Sequence, residues 1–207
     1  MAYLFEPEDF HDVVQQALGL PLERMFEIVI ECLQERYPGY INPQPRWFMN
    51  NAGGAMGMVG FLFGSLSEYI MLFGTPIGTE GHCGRYPAEI YDYVLDGEIW
   101  CFEEGVFERE VYRPGDVTYH NGRGKPRGYC IKDHAWMLEY GRGCIPLMLP
   151  FGLADAIFSI ASLRSTRDTI WSYGACAQRY MLSRLTGKLG KIERPFKEQP
   201  ESLTEQK

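Results

Sequence analysis

The sequence predicts an α+β fold in which a small antiparallel β-barrel or sandwich carries helices before and after it. Three patterns support this class. Apolar residues recur at helical spacing in residues 1–45, short apolar runs separated by turns fill residues 46–150, and a largely apolar, helix-like stretch covers residues 151–187. With 207 residues and 45% hydrophobic content, the chain is long enough to bury a core of this kind.

Two amphipathic helices are expected in residues 1–45. In the first, Asp9 is a candidate N-cap and Gly19 a candidate end, with apolar residues at helical spacing between them. Pro21 suits the first turn of the second helix, which is expected to end at the sequence YPGY. Each helix has one apolar stripe, so we expect the two to pack as a pair.

Residues 46–150 have the pattern of short, buried strands. Between Arg46 and Thr75, glycines interrupt apolar and aromatic runs, which favours twisted strands over a helix. The tripeptides DGE at 96–98 and PGD at 114–116 indicate turns at the regular spacing of a small antiparallel barrel or sandwich.

Two further helices are expected after the strands. The first runs from about Phe151 to Leu163, and a capping-box pattern at Ser165 and Asp168 begins the second, which extends to Gly187. Both are apolar and aromatic with few arginines, so we expect them to cover the barrel mouth, to lie in a membrane interface, or both. The residues expected to face the membrane are Ile170, Trp171 and Tyr180.

Charge and cysteine content narrow the choice of partners and compartment. The formal net charge of −7 argues against a nucleic-acid partner. Residues 164–194 nevertheless contain seven bases and two acids, a balance that suits contact with an anionic surface such as a membrane. The polar residues 188–207 are expected to form a disordered tail. The six cysteines include no C-x-x-C pair and no secretory signal precedes them, so reduced thiols are expected.

The stretch AWMLEYGRG, residues 135–143, places a glutamate inside a strand that has bulky apolar residues on both faces. Trp136 and Tyr140 point to one side of such a strand, and Met137 and Glu139 point to the other. Because an isolated buried carboxylate is costly, Glu139 is expected to have a partner, a proton or a chemical role.

A second acid has similar surroundings. In AEIYDYVLDG, Asp92 shares a strand face with Ile90 and Val94. If both strands belong to one barrel, Asp92 and Glu139 point into the same apolar lumen, where one of them keeps its proton. A neutral acid beside an anion suits acid–base work on an apolar substrate or the capture of a cationic amine. Alternatively, each carboxylate satisfies only a backbone amide or an arginine such as Arg142.

The same region resembles the cupin barrel, because YVLDGEIWCFEEG and RPGDVTYHNG are similar to its two characteristic halves. Metal-binding cupins carry an H-x-H-x-x-x-x-E pattern, but here the corresponding residues are His82, Gly84 and Glu89. His120 follows the PGD turn earlier than the usual ligand. His82, Glu89 and His120 could still form a poor facial site, yet a barrel without metal or any other cofactor is the expectation.

Five stretches carry a more specific resemblance: NAGGAMG, SLSEYIMLFGTPIG, GHCGRYPAEIYD, WMLEYGRGCIP and FGLADAIFS. From about Arg46 to Gly187 the chain resembles the family of the fungal C-8 sterol isomerase and the animal sigma-1 receptor. The resemblance implies a cupin-like barrel closed by two C-terminal helices that lie flat on a membrane, in a homotrimer. It also implies a peripheral location on an intracellular membrane, the endoplasmic reticulum in a eukaryote. Relatives have an N-terminal transmembrane helix, and none is seen in this chain.

The resemblance also implies a site. The two essential acids of the family fall on Asp92 and Glu139. The pocket lining of the family falls on Tyr69, Phe73, Tyr86, Ile145, Phe151 and Tyr173. In the isomerases a sterol double bond moves from the 8 to the 7 position: a carboxyl protonates the alkene, a tertiary carbocation forms, and a neighbouring carbon loses a proton. Glu139 is therefore expected to face a positive charge, with Asp92 holding or sharing the proton.

Two functions remain open at this point. One is sterol Δ8–Δ7 isomerisation. The other is a non-catalytic, sigma-1-receptor-like membrane protein that binds a sterol or a lipophilic amine in the same pocket. Both functions use the two acids. The large aromatic residue that can follow NAGG in the receptor is replaced by Ala55 in this chain, which is expected to widen the pocket on that side.

Overall fold

The computed structural model of the protein describes residues 3–187, and the predicted polar tail at 188–207 lies outside them. Four α-helices are present, with a short π-helix (Asp155–Ser159) between the third and fourth: α1 (Pro7–Ala17), α2 (Leu22–Arg36), α3 (Ile145–Ala154) and α4 (Leu163–Thr186). The strands are β1 (Phe48–Ala52), β2 (Ala55–Gly64), β3 (Glu68–Thr75), β4 (Thr79–His82), β5 (Ala88–Glu103), β6 (Glu110–Tyr112), β7 (Val117–Asn121) and β8 (Arg127–Gly143).

All eight strands belong to one antiparallel sheet. Its main path is β1-β2-β3-β8-β5-β6, with β4 paired to β8 and β7 paired to β5. Bulges in the β5–β8 ladder bend these two long strands, and the sheet folds around a cavity on its inner face. The α+β prediction is confirmed. Over residues 3–187, however, the path of paired strands does not return to β1, so the sheet is open and not a closed barrel.

The two predicted turns have different outcomes. PGD connects β6 to β7, and Gly115 adopts φ +93° there, as a turn glycine does. DGE lies inside β5, where the register with β8 shifts between Gly97 and Ile99. A side chain at Gly97, which has φ +81°, would place its Cβ 2.1 Å from the carbonyl oxygen of His134. This glycine therefore permits a bulge with close strand approach rather than a chain reversal.

Helices α1 and α2 pack on the outer face of the sheet, as one core with Leu138 and Tyr140 of β8. Helix α1 begins at Pro7, two residues before the predicted cap at Asp9, because a proline without an N–H fits the first helical turn. The Asp9 carboxylate instead accepts hydrogen bonds from Tyr37 and, at 3.0 Å, from Arg36, which joins the two helices.

The C-terminal helices begin earlier than predicted. Helix α3 starts at Ile145 rather than Phe151, since Pro146 lies in its first turn. The cap of α4 is Ser162, whose hydroxyl accepts a hydrogen bond from the Ser165 amide at 3.1 Å. The predicted cap at Ser165 is therefore wrong by three residues. The end at Gly187 is confirmed, and this glycine has φ +65°.

Two further features bear on the setting of the protein. All six cysteines are free thiols. Within residues 3–187, no helix combines the length and the apolar character that crossing a bilayer requires.

A buried carboxylate holds the segment before α1 to the sheet. Glu68, at the start of β3, accepts hydrogen bonds from the amide of Leu4 at 2.9 and 3.0 Å and from that of Phe5 at 3.1 Å. The Tyr140 hydroxyl donates to the same carboxylate at 2.8 Å. Removing the carboxylate would take the acceptor from the Leu4 and Phe5 amides, whereas the Tyr140 hydroxyl could still donate to the Phe5 carbonyl, 3.3 Å away.

We expect Glu68→Ala to lower the free energy of unfolding by about 3 kcal/mol, because two backbone amides lose their acceptor. Chemical denaturation measures this change. Glu108→Ala is the matched control, since Glu108 is exposed, and it is expected to change stability by less than about 0.5 kcal/mol. Equal effects of the two substitutions would contradict a stabilising role for Glu68.

Candidate functional site

A cavity of about 340 Å³ lies between the inner face of the sheet and helices α3 and α4. Its volume and its largely apolar, aromatic wall are typical of a small-molecule site. The structure places all six residues of the predicted pocket lining on this wall: Tyr69, Phe73, Tyr86, Ile145, Phe151 and Tyr173.

Helices α3 and α4 cover the cavity through specific contacts with the sheet. The Phe151 ring of α3 lies 5.2 Å from the Tyr86 ring, measured between centroids. Gly84 makes this position possible, because a Cβ there would lie 2.6 Å from Phe151. On α4, the Tyr173 hydroxyl donates to the Ser65 carbonyl, and its ring meets Phe61 edge-on at 5.8 Å.

The two predicted acids are direct neighbours. Asp92 of β5 and Glu139 of β8 are opposite each other in the strand register, both line the cavity, and the charge of Asp92 raises the pKa of Glu139. Each also has one donor of its own. The Thr118 hydroxyl donates to Asp92 Oδ2 at 3.0 Å, and the Tyr69 hydroxyl donates to Glu139 Oε1. The carboxyl pair, Asp92 and Glu139, is thus held in one geometry by both neighbouring strands.

Burial raises the pKa of both members of the carboxyl pair. The pKa of Glu139 is raised well above its ordinary value, first by burial and second by the charge of Asp92. Burial also raises the pKa of Asp92, against the opposing effects of the Thr118 hydrogen bond and the Arg127 charge. Two adjacent carboxyls in such surroundings titrate as a unit, and their burial favours a state in which the pair keeps one proton over full ionisation.

Arg142 does not neutralise the pair. Its Nε donates to Glu89 Oε2 at 2.7 Å, and its Nη2 donates to the Tyr91 hydroxyl at 2.9 Å. Glu89 is three residues from Asp92 on β5 and therefore points to the opposite face. The alternative in which Arg142 merely pairs with a buried acid of the cavity is accordingly excluded.

Sequence reasoning missed Thr118 and Arg127, and it considered His120 only as a metal ligand. Thr118 and His120 lie on one face of β7, opposite Asp92 and Ile90 in the register, and strand alternation in VTYHN was a usable signal for their place at the cavity. Arg127 gave no such signal, because its side chain reaches back to the Tyr119 carbonyl through a contact that no local pattern encodes.

The three side chains of the weak metal-site hypothesis are not brought together. His120 lines the cavity, Glu89 is paired with Arg142 on the opposite face, and the His82 Nδ1 accepts a hydrogen bond from the Gly84 amide at 2.8 Å. Throughout residues 3–187, no three His, Cys, Asp or Glu side chains are arranged to hold a metal ion.

The residues predicted to face a membrane have different positions on α4. Ile170 and Trp171 are exposed, and Ile170 also reaches the cavity mouth. Tyr180 instead points inward, with its ring 5.1 Å from that of Phe63 and 6.1 Å from that of Tyr40. The exposed apolar surface of α4 therefore includes Ile170 and Trp171 but not Tyr180.

Comparison with known proteins places this site in a family. The family described as "ERG2 and Sigma1 receptor like protein" matches residues 1–186. The chain is 40% identical to the C-8 sterol isomerase erg2 of Aspergillus fumigatus, over 88% of this chain and 76% of that protein. It is 39% identical to the sigma non-opioid intracellular receptor 1 of Gallus gallus, over 83% of this chain and 78% of the receptor.

Among solved structures, an RmlC-like cupin from Shewanella frigidimarina is similar with a TM-score of 0.42 and 15% identity, over 52% of this chain and 94% of that chain. The family match covers the sheet, the cavity and the covering helices, and the relatives match most of the chain at about 40% identity. The chain therefore belongs to the family of ERG2 and sigma-1-receptor-like proteins.

Proposed function

We propose that this protein is a sterol isomerase that moves a ring double bond from the 8 to the 7 position. The observation that carries the proposal is the carboxyl pair, two adjacent acids in a largely apolar cavity, where burial favours keeping one proton on the pair. An alkene is a weak base, so its protonation requires an acid that is held close and shielded from water. The kinship with the C-8 sterol isomerase of Aspergillus fumigatus supports a sterol as the substrate.

Each step of the reaction has a residue for it. The proton shared by Asp92 and Glu139 moves to one alkene carbon, and a tertiary carbocation forms at the other. The pair is then fully ionised, and its charge stabilises the cation beside it. A proton leaves the neighbouring ring carbon for a carboxylate, the new double bond forms, and the pair again holds one proton. No net proton is gained or lost.

The residues around the pair support this cycle. Tyr69 and Thr118 each donate to one carboxyl, so both groups stay in place while their charge changes. The aromatic rings of Tyr86 and Phe151 lie on the same wall, and their faces favour a neighbouring cation. The dry cavity strengthens these electrostatic effects relative to water.

The same charge supports the alternative function, a non-catalytic receptor for lipophilic amines. A protonated amine carries the positive charge that the carbocation has in the isomerase reaction, so a singly charged carboxyl pair suits both. The kinship with the sigma non-opioid receptor of Gallus gallus supports this alternative. Turnover of a Δ8-sterol separates the two functions, because ligand binding alone requires no proton transfer.

We also propose that the covering helices rest on a membrane surface. Their outer side carries a group of exposed apolar side chains: Leu147, Phe158, Ile160, Leu163, Ile170, Trp171 and Leu185. Exposed bases, Arg164 among them, accompany these side chains on α4. This combination favours an interfacial position at an anionic lipid surface. Residence at the endoplasmic reticulum and assembly as a homotrimer are parts of the proposal that rest on kinship with the family.

We expect purified protein to convert a Δ8-sterol into its Δ7 isomer and both Glu139→Gln and Asp92→Asn to lower kcat at least 100-fold, because each removes one half of the proton-transfer pair. Product analysis by mass spectrometry and NMR measures this. Glu89→Gln is the matched control, since Glu89 lies on β5, as Asp92 does, but points to the opposite face of the sheet. If either carboxyl variant turns over the sterol as fast as the wild-type protein does, the mechanism is wrong.

The carboxyl pair is also expected to make stability depend on pH. In the unfolded chain both acids ionise near pH 4, whereas the folded protein keeps a proton on the pair to higher pH. The folded state therefore binds more protons, and its stability falls as pH rises above the unfolded pKa until the pair ionises.

We accordingly expect Glu139→Gln to become progressively more stable than wild type between about pH 5.5 and about pH 7.5, by up to about 1.4 kcal/mol per pH unit. Urea denaturation of both proteins across this range measures the difference. Titrating groups other than Asp92 are common to the two proteins, so their contributions cancel, and the difference reports on the carboxyl pair. A difference that does not change with pH would show that the pair holds no proton over this range.

For the membrane surface, we expect the triple variant Phe158→Ser, Leu163→Ser and Trp171→Ser to lower partitioning into anionic liposomes at least tenfold, because three exposed apolar side chains lose their burial in lipid. Liposome sedimentation measures this. Phe107→Ser is the control, since Phe107 is fully exposed but lies between β5 and β6. If Phe107→Ser and the triple variant lose liposome partitioning equally, or if the triple variant loses none, the assignment of this face to the membrane is wrong.

A further inference from the structure

The cavity has a polar side that the carboxyl pair leaves unused. This polar side consists of Cys83, Cys101, His120, Arg127 and Tyr129. His120 is only 3% exposed and Arg127 only 4% exposed. Within residues 3–187, His120 Nδ1 and Arg127 Nε are buried nitrogens without a hydrogen-bond partner. Asn50, which also lines the cavity, has a third such atom, Oδ1, but only His120 and Arg127 belong to the polar side. Because unpaired buried polar atoms are unfavourable, the two nitrogens of the polar side indicate a polar group that completes them.

The chemistry of the two nitrogens is complementary. His120 Nε2 lies 3.3 Å from the Gly84 carbonyl, which can only accept a hydrogen bond, so Nε2 carries the ring proton and Nδ1 is an acceptor. Burial lowers the pKa of His120, which keeps the ring neutral. The unpaired Arg127 Nε–H is a donor. The polar side thus offers one acceptor and one donor.

The rest of the Arg127 guanidinium is already bound. Its Nη2 donates to Glu110 Oε2 at 2.6 Å, and its Nη1 donates to the Tyr119 carbonyl. The charge of Arg127 is therefore balanced by Glu110, and no further anion is needed to neutralise it. The neighbouring Cys83 and Cys101 stay neutral because burial raises the pKa of both thiols. A neutral polar group fits this side of the cavity better than a carboxylate or a phosphate.

We propose that His120 and Arg127 bind an alcohol hydroxyl of the ligand, whose O–H donates to His120 Nδ1 while its oxygen accepts from Arg127 Nε–H. This inference rests on the proposed function and narrows its substrate class. The substrate is a rigid, apolar molecule with an alkene near the carboxyl pair and one hydroxyl group at a distance from that alkene.

The spacing along β7 agrees with such a ligand. Thr118, which bonds Asp92, and His120 are two residues apart on the same strand face, which corresponds to roughly 7 Å. The separation between the ring hydroxyl of a sterol and its alkene in the second ring is of the same order. A hydroxyl held at His120 and Arg127 therefore places the alkene beside the carboxyl pair, where the proton transfer takes place.

Three Δ8-sterols that differ at one position test the inference in the wild-type protein: the 3-alcohol, the 3-ketone and the 3-deoxy compound. The alcohol can donate and accept, the ketone can only accept, and the deoxy compound can do neither. We expect affinity to decrease in that order, with the deoxy compound bound at least about tenfold more weakly than the alcohol. Calorimetric or fluorescence titration in detergent measures the three dissociation constants.

The variant His120→Phe removes the acceptor and keeps an aromatic ring against Tyr86, which lies 5.9 Å from the His120 ring. We expect it to bind the alcohol and the ketone with equal affinity, since the donor Arg127 remains. A lipophilic tertiary amine without a hydroxyl is the control ligand. Its affinity should be unchanged by His120→Phe and should be lost in Glu139→Gln.

The outcomes separate the two proposals. If the wild-type protein binds the alcohol and the deoxy compound equally while both bind tightly, the hydroxyl site is wrong and the proposed function stands. If the alcohol is preferred in the wild type and His120→Phe leaves the alcohol-to-ketone ratio unchanged, the role of His120 is wrong. If no Δ8-sterol binds although the amine does, sterol isomerisation is wrong, and the hydroxyl site is wrong with it.

Discussion

The structure depends on one electrostatic constraint: two carboxyl groups lie next to each other in a largely apolar cavity. Asp92 and Glu139 cannot both be charged there at low cost, so they share a proton. That condition raises the energy of the folded protein and at the same time gives it an acid and a base in contact. The carboxyl pair therefore lowers the stability of the folded protein while it supplies an acid and a base, a combination that is common at functional sites.

The fold supplies the dryness that the constraint requires. One face of the sheet is covered by α1 and α2, which form a tightly packed core with Leu138 and Tyr140. The other face would be open to water if α3 and α4 did not cover it through contacts such as that of Phe151 with Tyr86. The part of β8 from Ala135 to Tyr140 is therefore apolar on both sides except for Glu139. The covering helices have one side toward the cavity and an exposed apolar side away from it, which links the site to the proposed membrane surface.

Strand alternation predicted which face of its strand each of Glu139 and Asp92 occupies, because a period of two fixes which side chains share a face. That the two acids are neighbours follows only from the pairing of β5 with β8. Strand alternation did not predict that DGE forms a bulge, because a glycine such as Gly97 is found both in turns and in bent strands. The beginning of α3 was predicted too late, because apolar spacing did not indicate that Pro146 lies in the first turn of this helix. Arg127 was missed because its partners, Glu110 and the Tyr119 carbonyl, are brought to it only by the tertiary fold.

The protonation state of the carboxyl pair is the central claim, and infrared difference spectroscopy measures it directly. The spectrum of the wild-type protein minus that of the double variant Asp92→Asn and Glu139→Gln, at neutral pH, isolates the two groups. A single protonated carboxyl band together with a single carboxylate band is the expected result. Two carboxylate bands and no protonated band would contradict the shared proton, and with it the proposed acid for alkene protonation.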